Sequence, residues 1–316
     1  MVKRVLVTGG NGYIGSRLCL YLANAGYAVT PVCYPEEPND ITWIEKMEKV
    51  KVGDIREINF LKELAIESYD IVVHLVSLDH RQSEGDTAFV TSINITPVWN
   101  LLDVFSKRGL RKFLYFSTVQ VYGKLPDEVI TERHKPQVLN AYGLTHLIGE
   151  EICDYYNRTT SVDCRVVRLS NSYGVPVFVE NNCWWLVVND LCKQAYFDGK
   201  IVLQSDGTPQ RDFIHGWDVC QAVEKIIATD RSDFLYQVSS GKTLTIWEIA
   251  CLVKDIYMKK FGREISISRK GDTSVEVKER YCIDNSLLRA IGFNPVWTLE
   301  QGIDDLFNFL EQNNGE

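Results

Sequence analysis

Residues 5 to 15 read Val-Leu-Val-Thr-Gly-Gly-Asn-Gly-Tyr-Ile-Gly. An apolar run opens the chain and ends in a glycine cluster, with Gly9, Gly12 and Gly15 spaced three apart. An apolar pattern suited to a helix resumes at Leu18, Leu20, Tyr21 and Leu22. Strand, glycine turn and helix in that order are what a pyrophosphate-binding site requires. Gly9 makes the tight turn, Gly12 lets the backbone approach the phosphates, and Gly15 lets the helix pack close to the strand. The first turn of the helix then offers unpaired N–H groups and the positive end of its dipole to an anion. A glycine triad alone also serves plain packing; its place directly after an opening strand points to a dinucleotide.

The rest of the first half alternates in the same way. Strands are expected at Arg4–Thr8, Ala28–Cys33, Val50–Val52, Ile71–Leu75, Phe113–Phe116 and Cys164–Leu169, with helices near Tyr13–Asn24, Ile58–Ala65, Val90–Lys107 and Tyr142–Tyr156. Such alternation predicts an α/β fold, a Rossmann-like doubly wound parallel sheet, with ligands at the carboxyl ends of the strands. After Leu169 the rhythm changes. Loop is expected over Asn171–Pro176 and Phe178–Asn182, then a helix near Cys183–Phe197 containing Trp184 and Trp185. The tail mixes helices at Ile246–Lys259, Asn285–Ile291 and Leu299–Gln312 with a short strand at Glu264–Ser268. We therefore expect a dinucleotide-binding domain over residues 1–169, with return segments about 212–238. A smaller mixed C-terminal substrate domain is expected from 170–211 and 239–316.

Charge and cysteine usage narrow the function. A net charge of -8 argues against a general nucleic-acid binder, which carries a basic face. No apolar stretch approaches the ~20 residues that span a bilayer, and the sequence enters its first strand with no signal-peptide pattern. The nine cysteines are scattered without a CxxC pair, as small apolar residues in a reducing cytosol would be. A cytoplasmic location without membrane or nucleic-acid partners is expected. His74 and His80, six apart beside Asp79, fit no common metal-ligand spacing, so no metal is expected.

Two further segments carry chemistry: Phe116-Ser117-Thr118-Val119-Gln120-Val121-Tyr122-Gly123 and Asn140-Ala141-Tyr142-Gly143-Leu144-Thr145-His146. With the glycine turn, they make the chain resemble the extended short-chain dehydrogenase/reductase family, specifically its nucleotide-sugar epimerases, dehydratases and 4-keto reductases. The resemblance covers nearly the whole chain. It includes Gly53-Asp54-Ile55, Asn94 ahead of a helix, Arg168-Leu169-Ser170-Asn171, Arg211-Asp212-Phe213-Ile214-His215 and Arg269-Lys270-Gly271-Asp272.

The resemblance implies site residues. Thr118 would help hold and protonate the sugar oxygen, and Tyr142 would be the general acid/base. The dinucleotide would be held by Gly9, Gly12, Tyr13, Ile14, Gly15, Asp54, Ile55, Leu75, Val76 and Asn94, with Tyr142 and His146. The substrate diphosphate would meet Asn171, Arg211 and Arg269, arginine being suited by its two-pronged fork. His74, Asp79, His80 and Arg81 would lie on the substrate side, and bulky Val76 would narrow the cofactor path. Trp184, Trp185 and Tyr196 are read either as core or as stacking partners for the base. Asp212 and His215 are read as organisers of their loop. Dimerisation through the helices at Val90–Lys107 and Tyr142–Tyr156 would make a homodimer, with Leu147, Ile148 and Tyr155 on that face.

Two departures stand out. The family has a lysine four residues after the tyrosine, on the same helix face; this chain has His146. Imidazole has a reference pKa of about 6.5 and lowers a neighbouring phenol, itself near ~10, less than a fixed ammonium does. His146 is a working substitute, the mark of a weak or inactive member that only binds, or an introduced substitution. Val119-Gln120 replaces the Asp-Glu pair of the 4,6-dehydratases, and neither side chain can do their acid/base work. The expected chemistry is therefore oxidoreduction at C4 of a nucleoside-diphosphate sugar, as a 4-epimerase or 4-keto reductase. The alternative is a non-catalytic nucleotide-sugar or dinucleotide-binding protein. After the second strand the chain reads Cys33-Tyr34-Pro35, with no acid to repel a 2′-phosphate and no arginine beside it, so NAD and NADP both remain open. Arg17 and Arg56 are the candidates to reach such a phosphate.

Overall fold

Val5, Leu6 and Val7 are wholly buried, yet they face opposite ways. Val5 and Val7 join one apolar core and Leu6 another, as the period-two alternation of a strand buried on both faces demands. The computed structural model describes residues 2–126, 128–231, 233–271 and 280–313.

In chain order the elements are β1 (Arg4–Thr8), α1 (Tyr13–Asn24), β2 (Ala28–Cys33), α2 (Ile41–Ile44), β3 (Lys51–Val52), α3 (Ile58–Leu64), β4 (Ile71–His74), α4 (Thr87–Asn94), α5 (Thr96–Ser106) and β5 (Lys112–Thr118). Then come β6 (Val129–Ile130), α6 (Ala141–Thr159), β7 (Asp163–Leu169), β8 (Asn171–Tyr173), α7 (Val187–Asp198), β9 (Lys200–Val202), β10 (Gln210–His215) and α8 (Gly216–Ala228). The remainder is β11 (Leu235–Val238), β12 (Thr243–Thr245), α9 (Ile246–Phe261), β13 (Ser266–Ser268), β14 (Cys282–Ile283), α10 (Ser286–Arg289) and α11 (Leu299–Gln312).

Among the described residues, seven strands form one sheet in the order β11-β7-β5-β4-β1-β2-β3. Every pairing in it is parallel. The order reverses direction between β1 and β4, which opens a crevice at their carboxyl ends. One core lies under α1 and α8 and the other under α3, α5 and α6. A separate core of Val188, Leu191, Ile249, Val253, Ile303 and Phe307 binds α7, α9 and α11 together. β8, β10 and β12 form a small mixed sheet, so the segment Gln210–His215 stands apart from the large sheet while β11 extends it.

Four sequence expectations need correction. The loop expected over Asn171–Pro176 opens with strand β8, because Asn171–Tyr173 pairs in parallel with Phe213–His215 of β10. The helix expected over Val90–Lys107 is two helices, because Pro97 lacks an N–H and its ring cannot follow a continuing helix. The chain resets at Ile95, and Pro97 sits in the first turn of α5. The helix expected from Cys183 starts only at Val187, leaving Trp184 and Trp185 in the loop before it. Trp185 Nε1 donates to the Asn182 carbonyl at 2.9 Å there. Finally, β5 runs to Thr118 instead of ending at Phe116, because its pairing with β7 continues to Thr118 opposite Leu169. Asp272 lies outside the described residues.

Candidate active site

The glycine turn sits at the crevice. Gly9 adopts φ +73°, a left-handed conformation that an L side chain rarely tolerates. A Cβ on Gly15 would stand 2.0 Å from the Gly9 carbonyl oxygen, so α1 approaches the turn more closely than any other residue allows. Gly12 caps α1 with no side-chain hydrogen bond, and its first turn carries no acid. The N–H groups there are left for an anion. These features fit the diphosphate of a dinucleotide. We expect Gly15→Ala to weaken dinucleotide binding at least ~100-fold, since the clash is with backbone and cannot be relieved by a rotamer change. Titration calorimetry with NAD and NADP checks this.

From this turn a cleft of about 1250 Å3 runs along the carboxyl ends of the strands. It is lined by Gly9, Gly12, Tyr13, Ile14, Gly15, Asp54, Ile55, Leu75 and Val76 at one end, and by Thr118, Tyr142, His146, Asn171 and Arg211 towards the other. Asn94 and Arg269 are not among the lining residues. Asn94 is buried, and its side chain stitches the loop after β4 to α6. Its Oδ1 accepts from the Leu78 N–H at 2.8 Å, and its Nδ2 donates to Thr145 Oγ1 at 3.0 Å. Arg269 lies 4.1 Å over the Trp247 ring, with Nη1 donating to the Asp206 carbonyl at 3.3 Å.

Tyr142 stands at the start of α6. Asn140 caps that helix by accepting from the Gly143 N–H at 2.7 Å, and its Nδ2 donates to Gln120 Oε1 at 3.2 Å. The cap fixes where the tyrosine emerges. Burial pushes the Tyr142 hydroxyl up to about 12, the Asp79 carboxylate adding to the rise and a hydrogen bond with Thr118 opposing it. His146 lies one turn on, its ring 4.2 Å from the Tyr142 ring. Its Nδ1 lies 2.9 Å from the Tyr142 carbonyl oxygen, which can only accept, so Nδ1 carries the proton. Burial lowers His146 to about 4, and the ring is neutral at physiological pH. Behind it, His74 is lowered to about 3 by burial and by His146.

Below the cleft floor, Glu150 of α6 is buried against Arg168 of β7. Its Oε1 accepts from Ser117 and from Arg168 Nε, and Arg168 Nη1 reaches the Tyr122 hydroxyl at 2.8 Å. This network clamps α6 to β5 and β7 beside Thr118. Asp212 is also buried; it accepts from Ser170, Ser240 and Lys242 and organises its loop. Trp184 packs against Phe309 and Tyr196 against Phe261, away from the cleft lining. Trp185 does line it, facing His80 at 5.9 Å.

Sequence reasoning passed over Tyr281 and Tyr34. Tyr281 lines the cleft, with its hydroxyl donating to the Gln210 carbonyl at 3.0 Å. It is isolated in sequence, so no local motif marks it. Tyr34 lines the cleft beside Arg56, at the end of β2 where an acid was expected. Arg17 is ruled out as a 2′-phosphate ligand: its guanidinium is buried against Tyr13 and Trp217. Arg56 remains at that end, with Nε 2.9 Å from Asp54 Oδ1. Among the described residues, no cluster of three or more metal-ligating side chains occurs and no helix is long and apolar enough to cross a membrane.

The sequence matches the profile described as "NAD dependent epimerase/dehydratase family" over residues 5–238, well over half of the chain. The chain belongs to this family. Among its curated relatives, the UDP-glucose 4-epimerase of Rhizobium meliloti is 27% identical, covering 99% of this chain and 98% of that protein. The dTDP-glucose 4,6-dehydratase of Streptomyces griseus is 26% identical, covering 96% and 92%. Of solved structures, the UDP-glucuronic acid 4-epimerase of Bacillus cereus, in complex with UDP-glucuronic acid and NAD, superposes with a TM-score of 0.81. It is 23% identical and covers 98% of this chain and 99% of that one. The UDP-glucose 4-epimerase of Thermotoga maritima gives a TM-score of 0.83 at 21% identity over 98% and 99%. These structures share the fold of this family member.

Proposed function

We propose that the protein carries out NAD(P)-dependent oxidoreduction at C4 of a nucleoside-diphosphate sugar. One observation carries this reading: the Tyr142 hydroxyl, with Thr118 beside it, shares a single cleft with the glycine turn. The names of the relatives, which are epimerases and dehydratases of UDP- and dTDP-sugars, support the substrate class. A nicotinamide dinucleotide, when bound, supplies the site for hydride exchange with the sugar carbon. The chain's own residues do the rest. Thr118 and Tyr142 bind the sugar oxygen, and Tyr142 moves its proton. Asn171 and Arg211 hold the diphosphate at the far end of the cleft. Asn94 acts at one remove by fixing the loop after β4, and Arg269 does not face the cleft in this conformation.

At the adenosine end, Tyr34 replaces the expected acid, and Arg56 neutralises Asp54. That end accepts NAD or NADP. No carboxylate flanks Thr118 in sequence: Val119 is buried and Gln120 is tied to Asn140. This argues against 4,6-dehydration. Mass spectrometry of the supernatant from denatured protein, paired with titration of NAD, NADP, UDP and dTDP, tests the reading. Joint binding of a dinucleotide and a nucleoside diphosphate is expected. Failure to bind either dinucleotide overturns it; binding without any turnover would mark a receptor in place of an enzyme.

The same reading includes a homodimer through α5 and α6. Trp99 of α5 and Tyr155 of α6 are 53% and 50% exposed, large rings that water disfavours. We expect sedimentation velocity to give a dimer, and Trp99→Glu combined with Tyr155→Glu to give a monomer.

A further inference from the structure

The chain leaves the small sheet after Tyr173 of β8 and enters α7 at Val187. The loop between them has a closed neck. Asn189, wholly buried in α7, accepts from the Gly174 N–H at 3.1 Å and donates to the Gly174 carbonyl at 3.0 Å. That clasp needs a glycine. Gly174 adopts φ +124°, and a Cβ there would stand 2.6 Å from His215 Nε2. A loop whose ends are joined in this way packs as one compact unit.

The same loop is fastened to the glycine turn and to α1. The Tyr13 hydroxyl donates to the Gly174 carbonyl at 2.8 Å, Arg17 Nη2 donates to the Val175 carbonyl, and Asn181 Nδ2 donates to the Asn11 carbonyl at 2.9 Å. Phe178 meets the Trp43 ring edge-on at 5.3 Å, and Trp43 Nε1 donates to the Ser16 carbonyl at 2.9 Å. At the far side of the loop, Trp185 and Leu186, with Val187 behind them, line the cleft. Tyr13 therefore faces two ways. Its backbone N–H is one of those that the start of α1 leaves for an anion, and its hydroxyl holds the neck of the loop.

We propose that Tyr13 and Asn181 are positioning residues that link the two ligands of the cleft. A dinucleotide seated on the glycine turn fixes this loop, and the loop then takes the nucleoside diphosphate of the sugar nucleotide more tightly. This rests on the function proposed above and adds a coupling between its two ligands. A ligand pressed against Trp185, Leu186 and Val187 must hold still a loop whose anchors lie on the glycine turn and α1. A diphosphate on the N–H groups of Tyr13 and Ile14 immobilises those anchors beforehand. The second ligand then loses less ordering entropy, which is read as tighter binding. Linkage makes the effect reciprocal.

Asn181 is the cleaner handle. Among the described residues its Oδ1 is buried without a partner, so the bond to Asn11 is what its amide contributes. Removing that amide frees the Asn11 carbonyl, which water can reach because Asn11 is half-buried. UDP and dTDP are suitable probes, since they lack the sugar ring that would meet a nicotinamide, and any linkage then passes through the protein.

The test is calorimetry on nucleotide-free protein. UDP and dTDP are titrated alone and with saturating NAD or NADP, and the dinucleotides alone and with the tighter nucleoside diphosphate. We expect about tenfold tighter nucleoside diphosphate with dinucleotide present, and the same factor in the reverse order. Asn181→Ala is expected to bring both factors within about twofold while each ligand alone keeps its affinity within about threefold. Tyr13→Phe, which removes the hydroxyl alone, is expected to shrink the factors too. Hydrogen exchange gives the readout that a merely structural role would not move. Dinucleotide is expected to slow exchange of the 174–186 amides in the unaltered protein and to lose this effect in Asn181→Ala. Equal affinities with and without dinucleotide in the unaltered protein, or factors and protection that survive Asn181→Ala, overturn the proposal and leave the proposed function standing. Failure to bind either dinucleotide overturns that function itself.

Discussion

Tyr142→Phe is expected to cut turnover by about 10²–10⁴-fold, the usual contribution of a positioned acid or base. Dinucleotide affinity is expected to stay within about threefold, because the phenyl ring still fills its place against His146, 4.2 Å away. The split between a large kcat loss and an unchanged Kd separates proton transfer from a mere wall of the cleft. Stopped-flow turnover alongside calorimetry measures both. A change in affinity that matched the loss in rate would assign Tyr142 to binding.

Glu150→Ala is expected to cost about 3–5 kcal/mol of stability, because it leaves Arg168 charged, buried and unpaired. Both side chains are almost inaccessible, at 4% and 5% of their surface, so water cannot take over the pairing. Urea denaturation followed by circular dichroism reads the loss directly. The double replacement Glu150→Leu with Arg168→Met is expected to be less harmful than either single change, since no lone charge remains. If Glu150→Ala were neutral, the pair would be no clamp, and the placement of α6 would have to rest on its apolar face alone.

Much of the fold was legible because it follows local rules. β1, α1 and β2 fall where alternation and the glycine turn place them, since a strand buried on both faces and a glycine-started helix leave few alternatives. The break between α4 and α5 was written in Pro97, and the late start of α7 was not written at all. Trp184 and Trp185 sit at helical spacing with their neighbours, but tertiary packing against Phe309 and the cleft wall decides their backbone. In the site, Thr118 and Tyr142 were readable as motifs, whereas the tautomer of His146 depends on a carbonyl four residues back, which the sequence encodes only through the finished helix. Asp79 was noticed as a substrate-side residue; its effect on Tyr142 needs the loop geometry that Asn94 imposes. Tyr281 comes from the far end of the chain, so only the folded molecule brings it to Arg211.

The tether made by Asn94 has a mechanical consequence. By joining Leu78, Ser83 and Thr145 it yokes the loop carrying Asp79 to the helix carrying Tyr142, so the anion and the phenol travel as one rigid jaw. The opposite wall of the cleft is the stretch ahead of α7 that bears Trp185. There the Trp185 ring faces the His80 ring at 5.9 Å across the mouth, while Asn181 of the same stretch donates to the Asn11 carbonyl of the glycine turn at 2.9 Å, so the two sides of the cleft meet through side chains and not through a shared helix or strand.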